Sequence, residues 1–358
     1  MTVERPVVAA PDQASRRGRV SRRALGRGDL GLWDYVLRAL GGLAALLPIA
    51  TVIFIATLLL VHAMPSIRYN GVDFLTHNQW NFGNFYSSGT TVHNGVAAPI
   101  GAAYGALPFI AGTFLTSIIA LVIGVPVALG AALILTEHVP AALRRWLSLF
   151  LELLAGIPSV VYGLWGLITL GPFLAKHVYP AIAHLGGVLP WLAAPVGSGL
   201  GLLTAGIVLA VMIVPIVSST SRDLLAQVPA LPREGAAALG LTSWESVRIV
   251  SLPWVSQGIV GAIILGWGRA LGETMAVLIV SGNGANVLPS NIFAPITTIA
   301  SAIVALLDSA LSDPTGMAVS ALAEIGLILM LITLITNILA RLLVRRVSTT
   351  ALPVGRGI

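Results

Sequence analysis

Six stretches of the chain stay apolar for long enough to cross a bilayer, and the segments between them are polar or rich in glycine and proline. A hydrocarbon core of about 30 Å needs roughly 20 consecutive, mostly apolar helical residues. Residues 39–62, 107–135, 147–175, 199–221, 256–282 and 317–340 meet that requirement. The segments 63–106, 136–146, 176–198, 222–255 and 283–316 do not. The pattern predicts an all-α integral membrane protein with six transmembrane helices. Pro126, Pro158 and Pro215 fall inside these spans, where neighbouring helices can satisfy the backbone groups that proline frees.

Composition agrees. Of 358 residues, 56% are hydrophobic and 9% charged, where a soluble domain carries roughly 25% charged residues. So much apolar surface excludes a water-soluble enzyme, and it excludes extended disorder as well. The lack of cysteine removes disulfides, thiolate metal sites and cysteine nucleophiles together.

The net charge of +6 is mostly arginine, since Lys176 is the one lysine. Lys and Arg are retained on the cytoplasmic side of a membrane. An even number of spans places both termini together, and that side holds Arg5, Arg16, Arg17, Arg19, Arg22, Arg23 and Arg27. It also holds Arg144, Arg145, Arg222, Arg233, Arg248, Arg341, Arg345, Arg346 and Arg356, against Arg68 and Lys176 opposite. Both termini are therefore expected in the cytoplasm of a bacterial plasma-membrane protein. Ser21-Arg22-Arg23 faintly resembles a twin-arginine export signal, but the apolar run comes too late and is too long for one. Beside a first span, the arginine cluster reads as attraction to anionic lipid and a topology signal, not as nucleic-acid binding.

Chemistry narrows the class by what is missing. Lys176 has no glycine frame of a P-loop, so ATP hydrolysis by that route is excluded. The 6 histidines form no metal-binding spacing, and no nucleophile elbow is present. No catalytic residue, metal or cofactor is expected.

The loop 222–255 is the most informative segment. Pro229 and Pro232 precede or open a run of helix formers, Glu234-Gly235-Ala236-Ala237-Ala238-Leu239, and Gly240 is placed to end it. Thr242 or Ser243 could cap a second helix through Trp244, Glu245, Val247 and Arg248. A helix–turn–helix projecting from a membrane suits docking on a soluble partner; an ordinary connecting loop fits these residues equally well.

Glu234, Ala236 and Gly240, followed by Val250, Leu252 and Pro253, resemble the EAA motif of ABC importer permeases, with Gly235 in place of an alanine and Val250 in place of an isoleucine. The resemblance implies that this loop couples to an ATPase subunit through Glu234, Gly235, Ala236, Gly240, Leu252 and Pro253. Residues 152–167 and the run Gly268-Arg269-Ala270-Leu271-Gly272-Glu273-Thr274-Met275 resemble phosphate-specific permeases of the PstC type, over about residues 100–340. That family implies a type I importer core and four kinds of company: a PstA-like sister permease, two PstB-like ATPase subunits, a PstS-like extracytoplasmic phosphate-binding protein and membrane lipid. The expected division is a cytoplasmic tail 1–35, a first helix and extracytoplasmic loop 36–106, a permease core 107–345 and a tail 346–358. The first 35 residues and the insert 80–98 carry no assignable pattern.

Charges within spans are costly and normally face a partner, water or substrate. Glu152, Arg269, Glu273 and Glu324 fall in that class. Arg269 and Glu273 are four residues apart and would share a helix face. A guanidinium fork suits phosphate oxygens, so Arg269 is the first candidate for an anion pathway, with Glu273 orienting it; a structural pair is the alternative. Ser159 and Tyr162, just after Pro158, could turn hydroxyls toward the same pathway or bond within their helix. Two rival functions stay open: a permease for sulfate, molybdate or an amino acid, and an ion-driven carrier or channel without an ATPase.

Overall fold

The computed structural model describes residues 32–84, 89–193, 197–284 and 288–348. Most of the Arg-rich N-terminal tail, and Arg356 with the end of the C-terminal tail, lie outside the described residues. Among the described residues, six helices are long and apolar enough to cross a membrane: Tyr35–Asn70, Leu107–Glu137, Ser159–Gly187, Leu202–Leu225, Ser243–Leu271 and Met317–Leu342. The first begins in a unit reaching Ile55 and ends in a second unit running from Ala56 to the C-terminus.

Within the second unit the fourth span is the hub. Of its most apolar stretch 67% is buried, against 28% in the second, third, fifth and sixth spans. Membrane helices gain little from hiding apolar surface from one another, so close approach through small residues and dispersion hold them together. A Cβ on Gly206 would lie 2.4 Å from Ile119 Cγ2, and one on Gly124 2.9 Å from Ile213 Cδ1. The second and fourth spans therefore interlock, each offering a glycine to the other's isoleucine. The third span docks in the same manner: a Cβ on Gly166 would sit 2.6 Å from Val280 Cγ1.

Two spans differ from the hydropathy reading. Residues 141–155 form a separate amphipathic helix, Ala141–Ala155, and the third span starts only at Ser159. Pro158 breaks the helix there, because it lacks an N–H and disfavours helical geometry in the residue before it. Glu152, expected inside a span, instead sits on this amphipathic helix, 3.5 Å from Arg222. The fifth span begins earlier, at Ser243, and stops at Leu271. A short helix Met275–Val280 follows, and later the capped apolar helix Ile299–Leu311.

The insert between the first two spans is folded. Strands β1 (Trp80–Asn81) and β4 (Ala103–Tyr104) pair antiparallel, as do β2 (Thr90–His93) and β3 (Val96–Pro99). His93 faces Val96 across a two-residue turn, with φ of 52° at Asn94 and 78° at Gly95, the positive pair that a type I′ hairpin requires. Trp80 packs edge-on against Phe74, Phe82, Tyr104 and Phe109.

Candidate functional site

The loop after the fourth span folds as a helix–turn–helix. Its first helix is Ala230–Ala238. Gly240 takes φ of 81°, and two hydrogen bonds close the turn: Gly240 N–H to Ala237 C=O at 2.9 Å, and Leu241 N–H to Ala236 C=O at 3.1 Å. This pairing is the Schellman arrangement, which favours glycine at the left-handed position. Thr242 then caps the second helix. Its hydroxyl accepts from Glu245 N–H at 3.3 Å, while Glu245 Oε2 accepts from Thr242 N–H at 2.8 Å, a reciprocal cap of roughly 1 kcal/mol.

The expected coupling residues divide by exposure. Ala236 is buried, and Glu234, Gly235 and Gly240 are exposed. Leu239 and Trp244 stand out of the same turn, 82% and 61% exposed. Leu252 packs beside Leu225, Val228 and Val255. Pro253 cannot donate to the carbonyl four residues back, and the turn just before it, Val247–Ser251, is a π-helix; a π-turn is one way to accommodate such a missing bond. The helix thus continues without a break from Ser243 to Leu271.

An ion pair fixes the loop to the membrane bundle. Arg233 Nη2 donates to Glu137 Oε1 at 2.8 Å, with the two side chains 29% and 18% exposed. It also reaches the Leu225 carbonyl at 3.4 Å. In the sequence Arg233 served only as a topology marker, and nothing local to it or to Glu137 announces a partner 96 positions away. Beside them, Arg144 donates to the carbonyls of Thr136 at 2.8 Å and Val139 at 3.2 Å, placing a cation at the second span's C-terminus, where the helix dipole favours one.

At its other end the fifth span delivers Arg269 to its last turn. Arg269 is exposed. Tyr162 itself is buried and donates to the Leu154 carbonyl at 2.8 Å, so it braces the end of the amphipathic helix. Ser159 opens the third span, half-buried. The structure does not pair Arg269 with Glu273. The helix ends at Leu271 with Gly272 as its cap, which takes Glu273 off the helical face that a four-residue spacing assumes. No Arg269–Glu273 ion pair forms among the described residues; the Glu273 carboxylate accepts from Ala276 N–H at 3.4 Å. Glu324 is 6% exposed in the sixth span, and its Oε2 has no hydrogen-bond partner.

Known proteins resemble this chain in sequence and in fold. The family model for the binding-protein-dependent transport system inner membrane component matches residues 124–349. The phosphate transport system permease protein PstC 1 of Mycobacterium tuberculosis H37Rv is 56% identical over 334 residues, which is 92% of this chain and 98% of that one. The PstC protein of Pasteurella multocida is 42% identical over 297 residues, covering 82% and 86%. Among solved structures, a chain of a bacterial alginate ABC transporter in complex with its pentasaccharide-bound periplasmic protein aligns with a TM-score of 0.55 at 18% identity, over 90% of this chain and 99% of that one. That likeness concerns the fold.

Proposed function

We infer the function from a family membership: the chain belongs to the binding-protein-dependent transport system inner membrane components and, within them, to the PstC-type phosphate permeases. It is a multi-pass membrane permease subunit of an ABC importer for inorganic phosphate. The observation that carries this reading is identity at 56% along 92% of the chain. ATP hydrolysis falls to PstB-like partner subunits, a PstA-like sister completes the pathway, and a PstS-like protein delivers phosphate from outside. Both termini lie in the cytoplasm, with 107–345 as the permease core.

The proposed mechanism uses one continuous lever. Glu234, Gly235 and Gly240 form the face offered to an ATPase groove, with Ala236 packed beneath it and Leu239 and Trp244 as its exposed apolar contacts. The Gly240 turn joins that face to the helix Ser243–Leu271, so a displacement at the loop moves the whole fifth span. From Ser243 to Arg269 the helix rises about 40 Å at 1.5 Å per residue. Arg269 offers phosphate a planar fork of donors; Ser159 and Tyr162 of the third span are the further pathway residues of this reading, the Tyr162 hydroxyl being held by the Leu154 carbonyl. Glu273 holds the turn that follows and does not neutralise Arg269, so the guanidinium stays available to an anion.

Expression in a bacterium lacking its own phosphate importer tests this reading. Uptake should require the sister permease, the ATPase and the binding protein together, and excess sulfate or molybdate should not compete. Uptake by this chain without the ATPase would favour a carrier or channel instead.

A further inference from the structure

A second feature, built mainly from residues ahead of those matched by the family model, sits where the first span leaves the membrane. Val61, Met64, Pro65 and Arg68 occupy one face of that helix at spacings of three and four. Together with the hairpin turn at Gly95 and Thr315 ahead of the sixth span, they line an open notch of about 550 Å³. The notch is graded. Its floor is apolar, Val61 being 63% and Met64 36% exposed, while Arg68, Gly95 and Thr315 form the polar rim. The apolar run of the first span ends near residue 62, so Arg68 lies roughly 9 Å further along the helix. That puts its Cα at the outer edge of the headgroup region, which adds about 5–8 Å to each side of the hydrocarbon core, and the long arginine side chain can reach back into it.

The rim is built, not incidental. Asn94 donates its side-chain N–H to the Arg68 carbonyl at 2.9 Å, and the His93 imidazole bonds the Tyr69 carbonyl. These contacts clamp the hairpin tip over the end of the helix. Arg68 itself pairs with no carboxylate among the described residues. Asp313, two residues before Thr315, is buried and already accepts from Thr315 N–H at 2.9 Å, from the Thr315 hydroxyl at 2.8 Å and from Ala318 N–H at 2.8 Å.

We propose that this notch binds an anionic phospholipid, with the headgroup phosphate on Arg68 and an acyl chain along Val61, Met64 and Pro65. Charge complementarity and depth argue for this occupant: an unpaired guanidinium at headgroup level stands directly above an apolar floor facing the bilayer. The inference needs the first span to cross the membrane and is independent of which solute the protein carries.

Native mass spectrometry of the full chain, purified with its partner subunits, tests it with phosphatidylglycerol as the probe. After equal detergent washing, the wild type should retain phosphatidylglycerol in preference to phosphatidylcholine, and millimolar inorganic phosphate should not displace it. Arg68→Gln should lower retention at least about fivefold, as loss of a charge-assisted hydrogen bond would. Val61→Trp, which fills the floor and leaves the charge intact, should lower it as well; because both positions are exposed, either variant can serve if the other assembles poorly. Equal retention by the wild type and either assembled variant overturns the proposal. So does displacement by free phosphate, which would make the notch an ion site. Unchanged lipid with weaker capture of the phosphate-binding protein in Arg68→Gln would make it a protein contact, and overturns the proposal too.

Discussion

Removing the Arg233 side chain should uncouple the loop from the bundle without unfolding either. The Arg233–Glu137 bond is short, 2.8 Å, and its partners are 29% and 18% exposed. It lies between an exposed surface pair, worth up to about 1 kcal/mol, and a fully buried one, where removing one partner costs about 3–5 kcal/mol. About 2 kcal/mol is the expected loss in Arg233→Ala, most of it from Glu137 left half-buried and unpaired. Because 1.4 kcal/mol is tenfold in an equilibrium, the loop helix would occupy its anchored position roughly 30-fold less well relative to other positions. The assay is ATP hydrolysis by the assembled complex, stimulated by phosphate-loaded binding protein, at equal membrane abundance. Arg233→Ala should lose most of the stimulation and keep the basal rate. The exchange Arg233→Glu with Glu137→Arg should restore much of it. Full stimulation in the single variant, or no recovery in the exchange, would refute the anchoring role.

Within the same loop, Glu234→Lys should depress stimulated hydrolysis severalfold, while Gly235→Ala should leave it unchanged, because alanine is the residue the EAA motif ordinarily carries there and its Cβ meets nothing within 4 Å in this chain; the reverse order of effects would contradict the proposed docking face. Gly166→Leu should reduce the amount of folded protein in the membrane, since even a Cβ there would lie 2.6 Å from Val280 Cγ1; normal thermal stability of the variant would contradict the packing account. Reporter fusions at residues 90 and 290 should read external, and those at 140 and 235 cytoplasmic; one reversed reading breaks the topology.

What could be read in advance depended on the range of the interaction. Apolar length is a local property, and it marked six spans. Its failure at the third is instructive: residues 147–175 are mostly apolar despite Glu152, and the backbone chemistry of Pro158 divides a surface helix from a membrane one. The coupling loop was legible for the same local reason, since Gly240 and Thr242 sit where a left-handed turn and a helix cap require them. The Asn94-Gly95 turn was also written locally, as the dipeptide a type I′ hairpin prefers, but β2 is exposed throughout, and no burial alternation drew attention to it. Arg269 with Glu273 misled because a four-residue spacing implies a shared face only while the helix continues, and here it stops at Leu271. The Arg233–Glu137 and Arg222–Glu152 pairs join residues far apart in sequence, and no local pattern encodes them.

The central claim is that phosphate crosses on a pathway where Arg269 meets the anion and the ATPases supply the energy. Uptake of radiolabelled phosphate into proteoliposomes holding the complete complex, with ATP supplied to the ATPase side, tests it most directly. The wild type should accumulate phosphate only with ATP. Arg269→Ala should assemble at wild-type abundance and fail to transport, and adding Glu273→Ala should not rescue it, because the two side chains are not paired. Uptake near the wild-type rate in the Arg269→Ala, Glu273→Ala double variant, or accumulation without ATP, would contradict the account.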